Sequence, residues 1–478
     1  MSEIRDYQVD HLLLLVGSNP VPNAVAGKLL TAPGGSITLI HSADGLDLSQ
    51  RLKQILKSWF ADAGYPDTNI GFKPVEESNA ASVSAGVYEV LEEYERKVLK
   101  EYKSDSGNAN KARMVRLGLN YTGGTKVMSV QAYHALKNWA NDRRRDALFS
   151  RDPVFSYLDA RTLQMRFDPA PSRDAISFYV GLGVEIGINE LLGLHNWEPI
   201  NPPITVPVLP ESAKALLTIH SNPSHARIWT EWLRKELFPE ARKRVSIPPP
   251  FWVFQSGKEL QGQYDVKQPT PNDKWKSKTD LRKLEISWPE LSILRETMSK
   301  ELGQDGTENL KLTAGTGPSR CKDEEDFCKW LSGIWLESAV LSALQYCAQE
   351  LHLNDCCMDI KPKVLGSSET NFQFDVVAIR GYQLFAFSCT TESGKEGGGR
   401  WLLKQKLFEV YVRARQMGGD EACAALVCCM PQEEANKLED EMRRDISPQG
   451  RIRVFGRECL VNLTKNIADW VSEQSKEG

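Results

Sequence analysis

The sequence predicts an α/β chain: a domain built on a mostly parallel sheet, a helical and irregular connector, and a second α/β domain. Three observations lead there. Apolar runs of strand length alternate with segments of helical period through residues 1–199. Proline clusters then interrupt the pattern, and a fresh alternation begins at about residue 321. A length of 478 residues agrees, since domains of roughly 100–200 residues each make two or three.

The first domain opens with "HLLLLVG" (11–17), a continuous apolar run closed by "SNPVPN", and "VAGKLL" follows at helical spacing. That is the pattern of a buried strand leading into a helix. "SITLIHS" and the amphipathic "LSQRLKQILKSWF" repeat the pair. A third helix, "VSAGVYEVLEEYERKVLKEY", leads through the polar "KSDSGNANK" to the strand "ARMVRLGLN" (112–120). Strands alternating with helices imply βα units, parallel pairing and right-handed crossovers. From "FSYLDARTLQMRF" onward the strands shorten and suit a β-hairpin, before the helix-like "VEIGINELLGLHNW" (184–197) ends the domain near Pro199.

Residues 200–320 read as the connector. "PINPPITVPVLP" and "VSIPPPF" enclose the helical "SAKALLTIHSNPSHARIWTEWLRKELF", and residues 251–320 are polar with few periodic apolar positions. The last domain, 321–478, starts with "DEEDFCKWLSGIWLESAVLSALQYCAQEL" (323–351), whose acidic first turn suits the helix dipole. "NFQFDVVAIRGYQLFAFSCTT" reads as two strands joined by a tight turn. A helix at "LLKQKLFEVYVRARQM", a turn at "GGDE" and a strand at "ACAALVCC" complete a second α/β unit.

Composition narrows the function classes. Lysine plus arginine number 59 against 63 acidic residues, so no bulk polycation is available to hold nucleic acid, and any such binding needs a local patch. No stretch approaches the roughly 20 apolar residues of a membrane span, and with the acidic "MSEIRDYQVDH" carrying no long apolar stretch we expect a cytoplasmic protein with no membrane partner. All ten cysteines lie between Cys321 and Cys459 without a C-x-x-C, which favours reduced, buried thiols over a zinc or redox motif.

"LNYTGGTKVM" (119–128) carries the first candidate chemistry. A glycine pair between a buried strand and a helix permits positive φ and leaves no side chain in a ligand's way. Thr122, Gly123, Gly124 and Thr125 would offer amides and hydroxyls to an anion, with Lys126 as a mobile cation. The G-x-x-x-x-G-K spacing of a Walker loop is absent. The same residues also suit a plain βα turn with a solvated lysine. Ligands collect at the carboxyl ends of parallel strands, however, and "GSNPVPN" places Ser18 and Asn19 at such an end, so two polar loops are expected to line one pocket.

"LNYTGGTKVMSVQAYHAL" resembles the Thr-Gly-Gly-Thr-Lys turn of CARF domains, the CRISPR-associated Rossmann-like sensors of cyclic oligoadenylate, particularly those fused to a restriction-endonuclase-like domain. The similarity is an ordered series: "VEIGINELLGLHNW" resembles the segment closing the sensor domain, "FCKWLSGIWLESAV" the helix opening the nuclease domain, "NFQFDVV" and "FSCTT" its metal-binding strands, and "LLKQKLFEVYVRARQMGG" its following helix. It covers most of residues 10–200 and 323–430. The resemblance implies a homodimer with the cyclic ligand on its two-fold axis, touching both copies of the turn.

It also implies a site for Mg²⁺ or Mn²⁺ on carboxylates, which activates water and neutralises charge on the scissile phosphate of DNA or RNA. The family pattern runs Glu on the opening helix, Asp on one strand, then Glu-x-Lys on the next. Glu337 and Asp375 match the first two as metal ligands and catalytic residues, whereas Ser388 and Thr390 stand for the Glu and the Lys with Cys389 between them. Glu392, Lys395, Lys404 and Lys406 follow as replacements, and Lys404 is assigned as the catalytic cation. Without the resemblance, Glu337 and Asp375 also suit a solvated helix residue and a strand-end acid. Lys395 and Arg400 in "SGKEGGGR" suit a nucleic-acid contact or a solvated loop. The implied function is a type III CRISPR ancillary effector; the alternatives are a non-catalytic sensor and a ring nuclease that cleaves its own ligand.

Overall fold

A computed structural model describes residues 3–104, 114–142, 148–168, 176–244, 271–367, 372–394, 399–446 and 450–474. The first sheet holds β1 (Val9–Leu15), β2 (Thr31–His41), β3 (Asn69–Pro74), β4 (Leu117–Asn120), β5 (Val154–Asp159), β6 (Gln164–Phe167) and β7 (Ile176–Tyr179) in the order β3-β2-β1-β4-β5-β6-β7. β3 through β5 are parallel, and β5-β6-β7 form the antiparallel edge anticipated from the shortened strands. Around it lie α1 (Val21–Leu30), α2 (Leu46–Asp62), α3 (Ala80–Ser104), α4 (Lys126–Ala140) and α5 (Ile188–Leu194). The unbroken apolar run of β1 has a simple cause. Leu12 and Leu14 pack with Val25, Leu52 and Leu56 on one face, while Leu13 and Leu15 pack with Val83, Val87 and Leu136 on the other, so both faces of a period-two strand are buried.

The connector is more ordered than its polar sequence suggests. After β8 (Trp197–Pro199) come α6 (Pro210–Ser221), α7 (Pro223–Trp232), α8 (Phe238–Ala241), β9 (Arg242–Arg244), β10 (Pro271–Trp275), α9 (Lys278–Leu281), β11 (Glu285–Ser287), α10 (Ser292–Leu302) and β12 (Asn309–Lys311). Residues 251–320 read as irregular from their sequence, yet within them Leu281, Ile286, Leu294, Met298 and Leu310 enter one core with Trp229, Trp335 and Trp470. Sparse apolar positions suffice when most of them are buried, as here, where Ile293 is the exception among the isoleucines and leucines of α10. Residues 251–270 lie outside the described residues.

The last unit comprises α11 (Glu324–Lys329), α12 (Trp335–Tyr346), α13 (Ala348–Leu351), β13 (Leu353–Ile360), β14 (Pro362–Val364), β15 (Phe374–Arg380), β16 (Gln383–Thr390), α14 (Gly399–Gly418), β17 (Cys423–Cys428), α15 (Gln432–Ile446), β18 (Ile452–Phe455) and α16 (Leu463–Gln474). Its sheet runs β13-β15-β16-β17-β18, antiparallel up to β16 and parallel from β16 to β18. One face packs on α12 and α16, and the other joins α14, α15 and the first unit in a continuous core that contains Leu163, Ile186, Leu384 and Leu426. All ten cysteines are free and eight are buried. Among the described residues no helix is long and apolar enough to cross a membrane.

Candidate functional site

Strand order reverses between β1 and β4: their crossovers leave in opposite directions, and a crevice lies over the loops at their carboxyl ends. It has a volume of about 720 Å³. Gly17–Asn19 after β1, Tyr121–Gly124 after β4 and Tyr157–Arg161 at the end of β5 form three sides. Arg415 and Gly419–Glu421 from the far end of the chain form the fourth.

The Thr-Gly-Gly-Thr turn is held by its own residues. Gly124 has φ +74°, the left-handed region that costs glycine nothing, and a Cβ on Gly123 would overlap the Leu15 carbonyl oxygen. The two loops therefore meet backbone to backbone. The Thr122 hydroxyl accepts the Leu158 amide at 2.7 Å, tying the turn to β5. Thr125 caps α4, accepting from the Met128 amide at 3.2 Å and donating to the Glu77 carbonyl at 2.9 Å. Tyr121 donates to Asp168 at 2.7 Å; burial first, then that hydrogen bond and the Asp168 charge, push its phenol upward. The rings of Tyr121 and Tyr157 stand 5.7 Å apart on the crevice wall.

The predicted ligand residues thus divide. Ser18, Asn19, Thr122, Gly123 and Gly124 line the crevice together, as expected of two polar loops at one end of the sheet. Thr125 spends its hydroxyl on the cap, and Lys126 is an exposed first residue of α4 outside the lining. Sequence reasoning missed Tyr157, Asp159 and Arg161, although the rule about strand carboxyl ends applied equally to β5. It also missed Arg415 and Gly419–Glu421, for which no local signal existed.

A second cluster forms in the last sheet. A π-helical turn at Trp330–Ile334 interrupts the helix just before Glu337, with Gly333 at its extended point facing Thr391. Asp375, near the start of β15, accepts from Ser388 Oγ at 3.1 Å and from the Cys389 amide at 2.7 Å. Burial pushes the Glu337 carboxyl well above the usual range; the charges of Asp375 and Asp359 add to this, while Lys361 and Lys406 oppose it. Burial raises Asp375 too, against the Cys389 amide, Lys406 and Ser388. Asp359 itself pairs with Lys361 at 2.7 Å. Among the described residues no group of three or more His, Cys, Asp or Glu could hold a metal ion.

The lysines of α14 divide between two surroundings. Lys404 turns to α15, where it pairs with Glu441 and reaches Asp445, and Arg400 joins it on Glu441 and Glu434. Lys406 is the lysine of α14 whose charge bears on Glu337 and Asp375. Two residues along a helix rotate a side chain by about 200°, so the two lysines face opposite ways. Lys395 lies outside the described residues. Thr390 Oγ1 accepts the Glu392 amide at 3.4 Å.

No protein-family model matches the chain, and no curated protein matches it. Solved structures do. Protein VC1899 from Vibrio cholerae is similar over 98% of this chain and 99% of its own, with a TM-score of 0.62 and 13% identity. Can2 from Sulfobacillus thermosulfidooxidans, solved in complex with cyclic tetra-adenylate, is similar over 98% of both chains, with a TM-score of 0.57 and 14% identity. The predicted fold class, a Rossmann-like α/β unit followed by a connector and a second α/β unit, is therefore the fold of these proteins from end to end.

Proposed function

We propose that this chain is a type III CRISPR ancillary effector that binds cyclic oligoadenylate in the switch-point crevice and acts on DNA or RNA through the Glu337–Asp375 cluster. The observation that carries the reading is the crevice itself. The Gly17–Asn19 and Tyr121–Gly124 loops bring two polar backbone segments within contact of one another, as an anionic ligand requires, and Tyr121 and Tyr157 offer aromatic faces to bases. The whole-chain likeness to a protein solved with cyclic tetra-adenylate supports the ligand class. Residues 1–199 would form the sensor, 200–320 the connector and 321–478 the nuclease-like unit, in a cytoplasmic homodimer that sets two crevices about one ring.

The second cluster fits a divalent cation in its donor set. Mg²⁺ and Mn²⁺ take one or two carboxylates and complete their shell with water and substrate phosphate, so Glu337 and Asp375 would hold the ion. Bound, it supplies a more acidic water and charge neutralisation at the phosphate. Ser388 and the Cys389 amide orient Asp375, and Lys406 offsets carboxylate charge when no cation does. A non-catalytic sensor is the second reading, favoured by Ser388 and Thr390 at the places where the family carries Glu and Lys.

The test is calorimetric titration with cyclic tetra- and hexa-adenylate, followed by cleavage of single-stranded and supercoiled substrates with Mg²⁺ or Mn²⁺, with and without ligand. Binding with ligand-stimulated cleavage supports the effector. Binding without cleavage by any metal supports the sensor, and no binding of either ring removes both.

A further inference from the structure

The wall of the crevice that comes from the far end of the chain has a distinctive construction. Gly419 has φ +74° and sits against the amide of Asn19, so close that a Cβ there would overlap it. Arg451, almost wholly buried, donates to the Glu421 carbonyl at 3.0 Å and to the Ala160 and Arg161 carbonyls at 2.7 and 3.0 Å. One guanidinium thus fastens the Gly419–Glu421 turn to the end of β5. These contacts hold the last turn of α14 at the mouth of the crevice, and with it Arg415.

Arg415 is 43% exposed in its side chain, lines the crevice, and is paired with Asp420 on the same wall, with the Tyr411 hydroxyl 3.0 Å from its second nitrogen. The crevice's other cation, Arg161, is also exposed, whereas the Asp159 carboxylate is already taken by Arg166 at 3.0 Å. An arginine whose acid partner is exposed and local can exchange that partner for a phosphate, whose oxygens fit the guanidinium fork equally well.

We propose that Arg415 is a phosphate contact supplied to the sensor crevice by the nuclease-like unit, held in place by Asp420 until a phosphodiester of the ligand replaces that carboxylate. This rests on the reading of the crevice as a cyclic-oligoadenylate site. The ligand is then bound by both α/β units, and the helix it draws on is α14, which carries Lys406 nine residues earlier, about 14 Å along its axis. A ligand that moves Arg415 acts on the same rigid element that brings a cation to Glu337 and Asp375.

The experiment is calorimetric titration of the full chain with cyclic tetra-adenylate and cyclic hexa-adenylate, comparing wild type, R415A, D420N and R415A/D420N. For the ring that binds, R415A should bind about 10- to 100-fold more weakly. D420N should bind severalfold more tightly, because the competing acid has lost its charge. The double variant separates contact from repulsion: it should remain about tenfold or more weaker than D420N, since no guanidinium remains to meet the phosphate. If the double variant matches D420N, or if R415A and D420N both match wild type, the proposal is overturned while the crevice reading stands. If wild type binds neither ring, both are overturned.

Discussion

Glu421 offers a test of how firmly the two units are joined. Its carboxyl is almost wholly buried beneath the crevice wall, with Oε1 unpartnered among the described residues. Burial pushes it from an ordinary 4.5 up to about 7, against its own backbone amide and the charges of Arg451 and Arg415. A carboxyl raised in the folded state binds its proton more tightly there than in the unfolded chain. The folded form is therefore favoured while the group stays protonated, and that advantage is lost as pH climbs from 4.5 through about 7. At 1.36 kcal/mol per pH decade, the loss over this window is about 3 kcal/mol. Glu421→Gln keeps the shape and removes the titration. Urea denaturation of both proteins at pH 5, 6, 7 and 8 isolates the effect, because the buried histidines His11, His195 and His220 titrate in both and cancel in the difference. The variant should gain about 2.5 kcal/mol relative to wild type between pH 5 and pH 8. A constant difference across the range would show that Glu421 is ionised in the folded protein and that the buried junction is wetter than its packing implies.

Further outcomes follow from the two clusters. Lys406→Ala should lower metal-dependent cleavage about tenfold or more, and Lys404→Ala should leave it near wild type, since its charge is spent on Glu441; equal effects in the same nuclease assay would contradict the assignment of α14's faces. Thr125→Ala should cost about 1 kcal/mol of stability in thermal or urea melts through loss of the α4 cap, even if ligand affinity scarcely changes. Gly123→Ala should abolish binding of the cyclic oligoadenylate proposed for the crevice, because a methyl group would push the turn off Leu15 and open the two loops.

How much of this was legible depended on the range of the signal. β1 could be read because a strand buried on both faces leaves no polar alternation, and "HLLLLVG" has none. The crevice could be read as far as Ser18, Asn19 and the glycine pair, because turn chemistry and strand order are local properties. Arg415 and Glu421 could not: nothing near them in the sequence differs from an ordinary helix end, and only the packing of the last sheet on the first brings them to Asn19. The connector misled for another reason, since most of its few apolar residues enter the core even though Val206 and Ile293 stay exposed, and density of hydrophobic residues is a poor guide where short elements share a larger unit's core.

The last prediction concerns the missing Glu-x-Lys. Asp375 already receives the Ser388 hydroxyl and the Cys389 amide, so the strand end is organised around one carboxylate rather than two. Burial and the charges of Asp375 and Asp359 all raise the Glu337 carboxyl, so a cation that binds there competes with a proton. Affinity for Mg²⁺ or Mn²⁺ should therefore rise with pH, and Asp375→Asn should abolish cleavage while leaving cyclic-oligoadenylate binding unchanged. Ser388→Glu with Thr390→Lys places a carboxylate and an ammonium on β16 and should raise cleavage if Glu337 and Asp375 hold the metal. Cleavage by wild type that survives Asp375→Asn would place the chemistry elsewhere. No cleavage from either wild type or the restored variant would leave the Glu337–Asp375 cluster a structural pair, and the chain a sensor that acts through what it binds.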